Sequence, residues 1–138
     1  MSDQDCKECL VAAIVLKKVS LLGLLVFITI PTVCIMVQDH AFNTLEEVVF
    51  VVFLLTGFLF GLRSGHLNFD SRLLKSLGDR TRSLSDVDQI VMRLFRKNIQ
   101  GKTIQVRITS CYKLVKGAFV LLVLHLLCYG GLVILLLS

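Results

Sequence analysis

No charged side chain occurs from 19 to 37, from 48 to 62, or from 117 to 138, and the 138-residue chain has no Trp and one Pro. Those gaps exclude a soluble helical bundle. The helices of such a bundle keep a polar stripe toward water, and 118-AFVLLVLHLLCYGGLVILLL-137 has none. A helix rises about 1.5 Å per residue, so about 20 residues cross a hydrocarbon layer of about 30 Å. With 55% hydrophobic residues and a mean hydropathy of +0.80, the sequence predicts an all-α, polytopic membrane protein. Its three transmembrane helices fall at 19–37, 45–62 and 118–137, with a basic helical cytoplasmic loop between the second and third.

Other absences narrow the reading. The connector 38–44 and the first turn after it, 38-QDHAFNTLEE-47, hold no Lys or Arg, whereas 63–117 holds twelve against four Asp. Lys and Arg collect on the cytoplasmic side, so the N-terminal segment 1–18 and the long loop are expected inside, and the C-terminus outside. The expected location is a bacterial inner membrane, or the endoplasmic reticulum in a eukaryote. No A-x-A-like site follows the first apolar run, so a cleaved signal peptide is not expected. No nucleophile–base–acid set, glycine-rich phosphate loop or HExxH helix appears, so neither an enzyme nor a cofactor is expected.

Local signals place boundaries. Lys17 and Lys18 mark the interface, leaving 9–16 as a short segment on the membrane or against the protein, and Pro31 is expected to bend the first span. Thr44 with Glu47 reads as a capping box for the second span, whose positive end also suits Glu46 and Glu47. Gly65, after Arg63, is expected to end that helix in a left-handed cap. In the loop a weak helix is expected over 69–77, with Leu73, Leu74 and Leu77 on one side. An amphipathic helix over 85–100 has Ser85 and Asp88 at its start and Gly101 at its stop. Residues 103–109 alternate like a strand, but a lone strand has no partner for its edges, so helix into the third span is preferred.

Three sets of residues carry possible function. Gly57 and Gly61, flanked by Thr56, lie on one face of the second span, where small residues let helices approach closely, either within the chain or between copies. Ser20, Gly23, Gly130 and Gly131 offer facing surfaces. His125 is an ionisable side chain inside a span, expected to hydrogen-bond a neighbouring span, with proton sensing or pore lining as the alternative. Arg93, Arg96 and Lys97 form the polar side of the amphipathic helix, suited to anionic headgroups or to packing within the protein.

Cys6-x-x-Cys9 has half the ligands of a zinc site, and His66 and Cys111 lie far along the chain, so free thiols and no metal are expected. With Phe69, Phe95 and Tyr112 as its only aromatics, the basic loop is not expected to bind nucleic acid. Size and layout point to a small membrane interaction or regulatory protein: an accessory subunit, or an immunity or exclusion protein. It would act through helix contacts and the basic loop on another membrane protein or on itself. The alternative is an oligomeric pore of the holin or viroporin kind.

Overall fold

A computed structural model describes residues 2–95 and 103–137. Five helices occur in chain order, with no strand among the described residues: α1 (Asp3–Leu21), α2 (Gly23–Met36), α3 (Thr44–Gly78), α4 (Leu84–Phe95) and α5 (Ile104–Leu137). Three helical stretches are long and apolar enough to cross a membrane: Asp3–Met36, Thr44–Gly78 and Ile104–Leu137. The first joins α1 to α2 at Leu22, whose backbone remains in the α region. There Leu22 N–H donates to Val19 O at 3.1 Å and Leu25 N–H to Leu22 O at 3.0 Å. These tightened i→i−3 bonds carry the chain through a single turn residue whose backbone keeps the α conformation. The protein is an all-α, three-span protein.

Contacts divide the chain into two units, Met1–Lys18 with His66–Val115, and Val19–Gly65 with Lys116–Ser138. The first contains the charged helical stretches. Cys6, Cys9, Ala12, Ala13 and Leu16 recur at helical spacing on α1 and are buried, as are Leu73, Leu74 and Leu77 of α3, Val87 of α4, and Ile104, Ile108 and Cys111 of α5. The small Ala12 and Ala13 let α3 come close enough for Ser71 Oγ to donate to Ala13 O at 2.7 Å. At the end of α3, a Cβ on Gly78 would stand 2.6 Å from Leu10 Cγ, so only glycine fits without moving α1. Arg80 then takes a left-handed φ of 55°, and its guanidinium reaches Asp3 and donates to Cys6 Sγ. Asp88 of α4 and Arg107 of α5 form an ion pair in which each side chain is about nine-tenths buried.

The second unit holds the apolar blocks. Val33, Phe53 and Leu132 form its core cluster, one residue from each span, with Ile30, Phe50 and Tyr129 packed around it. Its outer surface is unusual for a water-soluble protein: Phe27 and Ile35 are 72% and 73% exposed, and Phe58, Val120 and Leu127 also face outward. Soluble monomers rarely expose continuous apolar surface of that kind; a bilayer covers it.

Several local expectations need correction. Gly65 does not stop the second span. Its backbone stays helical and α3 runs on to Gly78, because the glycine cost of about 1 kcal/mol is offset by burying Leu67, Leu73, Leu74 and Leu77 farther along. The weak helix over 69–77 is therefore the end of α3, and 104–117 the start of α5. Thr44 is not the cap of α3. Asn43 is: Glu46 N–H donates to Asn43 Oδ1 at 3.0 Å, and Asn43 N–H to Glu46 Oε2 at 2.9 Å. Likewise α4 opens on Ser83 and Asp86 rather than Ser85 and Asp88, since Asp88 is engaged by Arg107. The expected stop at Gly101 lies outside the described residues.

Candidate functional site

Apolar runs leave few polar side chains in the spans, and each must find a partner because lipid offers none. Three of them meet at one point. His125 on α5 is fully buried. Its Nε2 lies 2.8 Å from Thr29 Oγ1 on α2, and its Nδ1 lies 3.1 Å from Phe53 O and 3.4 Å from Thr56 Oγ1 on α3. The ring stacks on Phe53, centroids 4.5 Å apart and planes 19° from parallel. All three spans thus converge on one imidazole.

Hydrogen-bond roles follow from the partners. A carbonyl oxygen accepts only, so Nδ1 carries the proton and donates to Phe53 O. In the neutral ring Nε2 is then an acceptor, and Thr29 Oγ1 donates to it. Thr29 Oγ1 also lies 3.2 Å from Val26 O of its own helix, and one hydroxyl proton serves one of these acceptors at a time. Thr56 Oγ1 donates back to Val52 O or Phe53 O, both at 2.9 Å. The acids of this unit, Asp39, Glu46 and Glu47, lie in the α2–α3 connector and the first turn of α3. Glu46 is already held there by Asn43 and by His40, whose Nε2 is 3.1 Å away. The neutral Nδ1–H imidazole therefore has every partner it needs inside the bundle.

Gly57 explains how the ring fits. A Cβ there would lie 2.9 Å from His125 Cε1 and 3.1 Å from Ile30 Cδ1, so the imidazole occupies space that any other residue would fill. Gly61, one turn on, has nothing within 4 Å of its Cβ position among the described residues, and neither have Gly130 and Gly131. Gly23 packs on Ser64, whose Oγ would be 2.8 Å from a Cβ. Of the glycine pair, Gly57 meets another span, and Gly61 meets none among the described residues.

The other singled-out residues lie elsewhere. Arg93 is exposed on α4; Arg96 and Lys97 lie outside the described residues. All five cysteines are free thiols, and Cys6, Cys9 and Cys111 are buried. Burial pushes the Cys9 thiol up to about 11 and, with the nearby Asp70 carboxylate adding to it, the Cys111 thiol up to about 12. Both stay protonated at neutral pH and are poor nucleophiles and ligands. Among the described residues no group of His, Cys, Asp and Glu is placed to hold a metal ion. An open groove of about 430 Å³ in the first unit, walled in part by Lys7, Glu8, Gln105 and Tyr112, is bridged by a Gln105–Glu8 hydrogen bond.

Hydropathy alone could not find Thr29 and Phe53 as partners of His125. The usable signal was the scarcity of polar residues in the runs, which obliges Thr29, Thr56 and His125 to satisfy one another. No family model, curated protein or solved structure matches the chain.

Proposed function

We propose that the chain is a small integral membrane interaction protein that binds and regulates another membrane protein through the outer faces of its spans and its basic segment. One observation carries this reading: Thr29, Thr56 and His125 are turned inward and bonded to one another. The outward faces then present apolar side chains such as Phe27, Phe58 and Leu127, together with the bare flanks of Gly61, Gly130 and Gly131. Such a surface suits lipid and close helix contact. A water-filled path needs polar lining, so a pore draws less support.

The reading places the protein in a bacterial inner membrane, with residues 1–18 and the twelve-cation segment 63–117 in the cytoplasm. The test is crosslinking in native membranes followed by mild-detergent purification. A fixed partner recovered with wild type, and lost with Gly61→Leu, supports the proposal. Ion leakage from liposomes that contain the pure protein alone would overturn it in favour of the pore.

A further inference from the structure

We propose that Arg63 and Lys116 clamp the phosphate of one anionic glycerophospholipid, with Gly117 as the seat of the guanidinium. This rests on the integral-membrane reading and adds a specific ligand to it. Arg63 Nη1 and Cζ lie 3.6 and 3.9 Å from the position a Cβ would take at Gly117. The guanidinium of α3 therefore rests against the α5 backbone, beside the residue that carries the Lys116 ammonium. A side chain larger than alanine at 117 would take its place.

Arg63 is seated on Gly117 and Lys116 precedes that seat by one position in sequence, so an anion bound at the guanidinium is within the flexible lysine's range and would relieve the repulsion between the two like charges. Within this unit the acids Asp39, Glu46 and Glu47 lie in the α2–α3 connector and the first turn of α3, and the next acid along α3, Asp70, stands seven positions beyond Arg63, where it meets the Cys111 thiol. Arg63 stands sixteen positions beyond Glu47 on α3, which is about 24 Å at 1.5 Å per residue. Among the described residues neither Arg63 nor Lys116 forms an ion pair.

Their position selects the anion. Arg63 directly follows the charge-free run 48–62, and Lys116 directly precedes the run 117–138. Both sit where hydrocarbon gives way to headgroups, the level of the lipid phosphodiester. The planar fork of Arg63 matches two phosphate oxygens, and the flexible ammonium of Lys116 supplies a third donor. A phosphatidylcholine headgroup offers the same phosphate but brings its own cation beside them, so phosphatidylglycerol is preferred.

The test titrates purified protein in detergent with phosphatidylglycerol and phosphatidylcholine in equal amounts, and counts retained lipids by native mass spectrometry. Wild type is expected to retain one phosphatidylglycerol roughly tenfold over phosphatidylcholine. The R63Q/K116Q pair is expected to erase the preference, and R82Q, an exposed cation of the other unit, to keep it. K116Q alone changes an exposed side chain, so it keeps the test valid if the pair fails to fold; a loss of about threefold is expected. Equal retention of the two lipids by wild type, or an unchanged preference in the substituted proteins, would overturn the clamp. Displacement of the lipid by millimolar inorganic phosphate would also overturn it, since the site would then read free phosphate. Alkaline carbonate washing of membranes checks the underlying reading separately. Protein that stays in the membrane but ignores headgroup charge refutes the clamp alone, whereas protein that washes off refutes the spans as well.

Discussion

At the residue scale, one imidazole does for this bundle what a larger polar network does elsewhere. His125 reaches α2 through Thr29 and α3 through Phe53 O and Thr56, so its removal loosens two interfaces at once. Interhelical hydrogen bonds in membranes average about 0.6 kcal/mol and reach about 1.7. His125→Leu is therefore expected to cost about 1–3 kcal/mol, seen as a lower thermal midpoint in detergent, and Thr29→Val about half of that. Unchanged midpoints for both would mean that the ring is not bonded across the spans.

The two glycines give a sharper contrast at the same scale. Leucine at 57 would collide with His125 and Ile30, while leucine at 61 would enter open space within the chain. Gly57→Leu should lower the thermal midpoint of the purified protein. Gly61→Leu should leave it unchanged and affect only recovery of a partner. From the sequence the two positions are equivalent members of one motif, because spacing reports the helix face and not which neighbour stands in front of it.

Elements are shaped by their ends and by a few buried polar ties. Both corrected caps come from sequences with two overlapping solutions. In 43-NTLEE-47 either Asn43 with Glu46 or Thr44 with Glu47 fits a capping box. Asn43 prevails because the Glu46 carboxylate also accepts from His40. In 83-SLSDVD-88 the earlier pair prevails because Asp88 is drawn to Arg107, which lies 19 positions away in sequence. A local motif names the candidates; a distant partner chooses between them.

The α4 cap is open to a pH test. The Ser83 hydroxyl, and then its backbone N–H, hold the Asp86 carboxyl below its ordinary value of 3.8. A depressed folded value means that the cap contributes fully above the unfolded value, and that this is lost as pH falls through the folded one. Amide exchange over 84–90 should thus be slow at pH 6 and, after correction for intrinsic rates, less protected near pH 3. Ser83→Ala should show the weaker protection at both. The Asp88–Arg107 pair belongs to the same element. Breaking one side of a buried pair costs about 3–5 kcal/mol, whereas replacing both sides with apolar residues is often close to neutral. Arg107→Met alone should therefore destabilise the protein in chemical denaturation far more than Asp88→Leu with Arg107→Met. Equal losses would show that the pair is merely adjacent.

For the whole molecule, the three apolar blocks were readable because a bilayer demands length and apolarity in one uninterrupted run, and no soluble fold requires both. The helix ends were not, since the hydrocarbon edge limits the apolar run and leaves the helix free to continue. Both α3 and α5 extend well past that edge, as α1 precedes it, because Leu73, Leu77, Ile104 and Ile108 find a second core with Cys9 and Leu16. The partners in that core are separated by long stretches of sequence, which hydropathy does not connect.

The turn between α3 and α4 turns this architecture into a measurement of orientation. Arg80 and Arg82 are exposed there, in a short non-helical link between two packed helices. Trypsin needs an accessible, locally extensible segment, and this link provides one, whereas Arg72 and Arg107 lie within helices. With the basic segment in the cytoplasm, trypsin added to intact spheroplasts should leave the chain whole. Added to inverted membrane vesicles, it should cut between the second and third spans, at Arg80 or Arg82 among the described sites, and give two membrane-bound fragments, the larger carrying the first two spans. Cleavage in spheroplasts with protection in inverted vesicles would reverse the topology without changing the number of spans. Release of a soluble fragment that contains residues 118–137 would remove the third span itself.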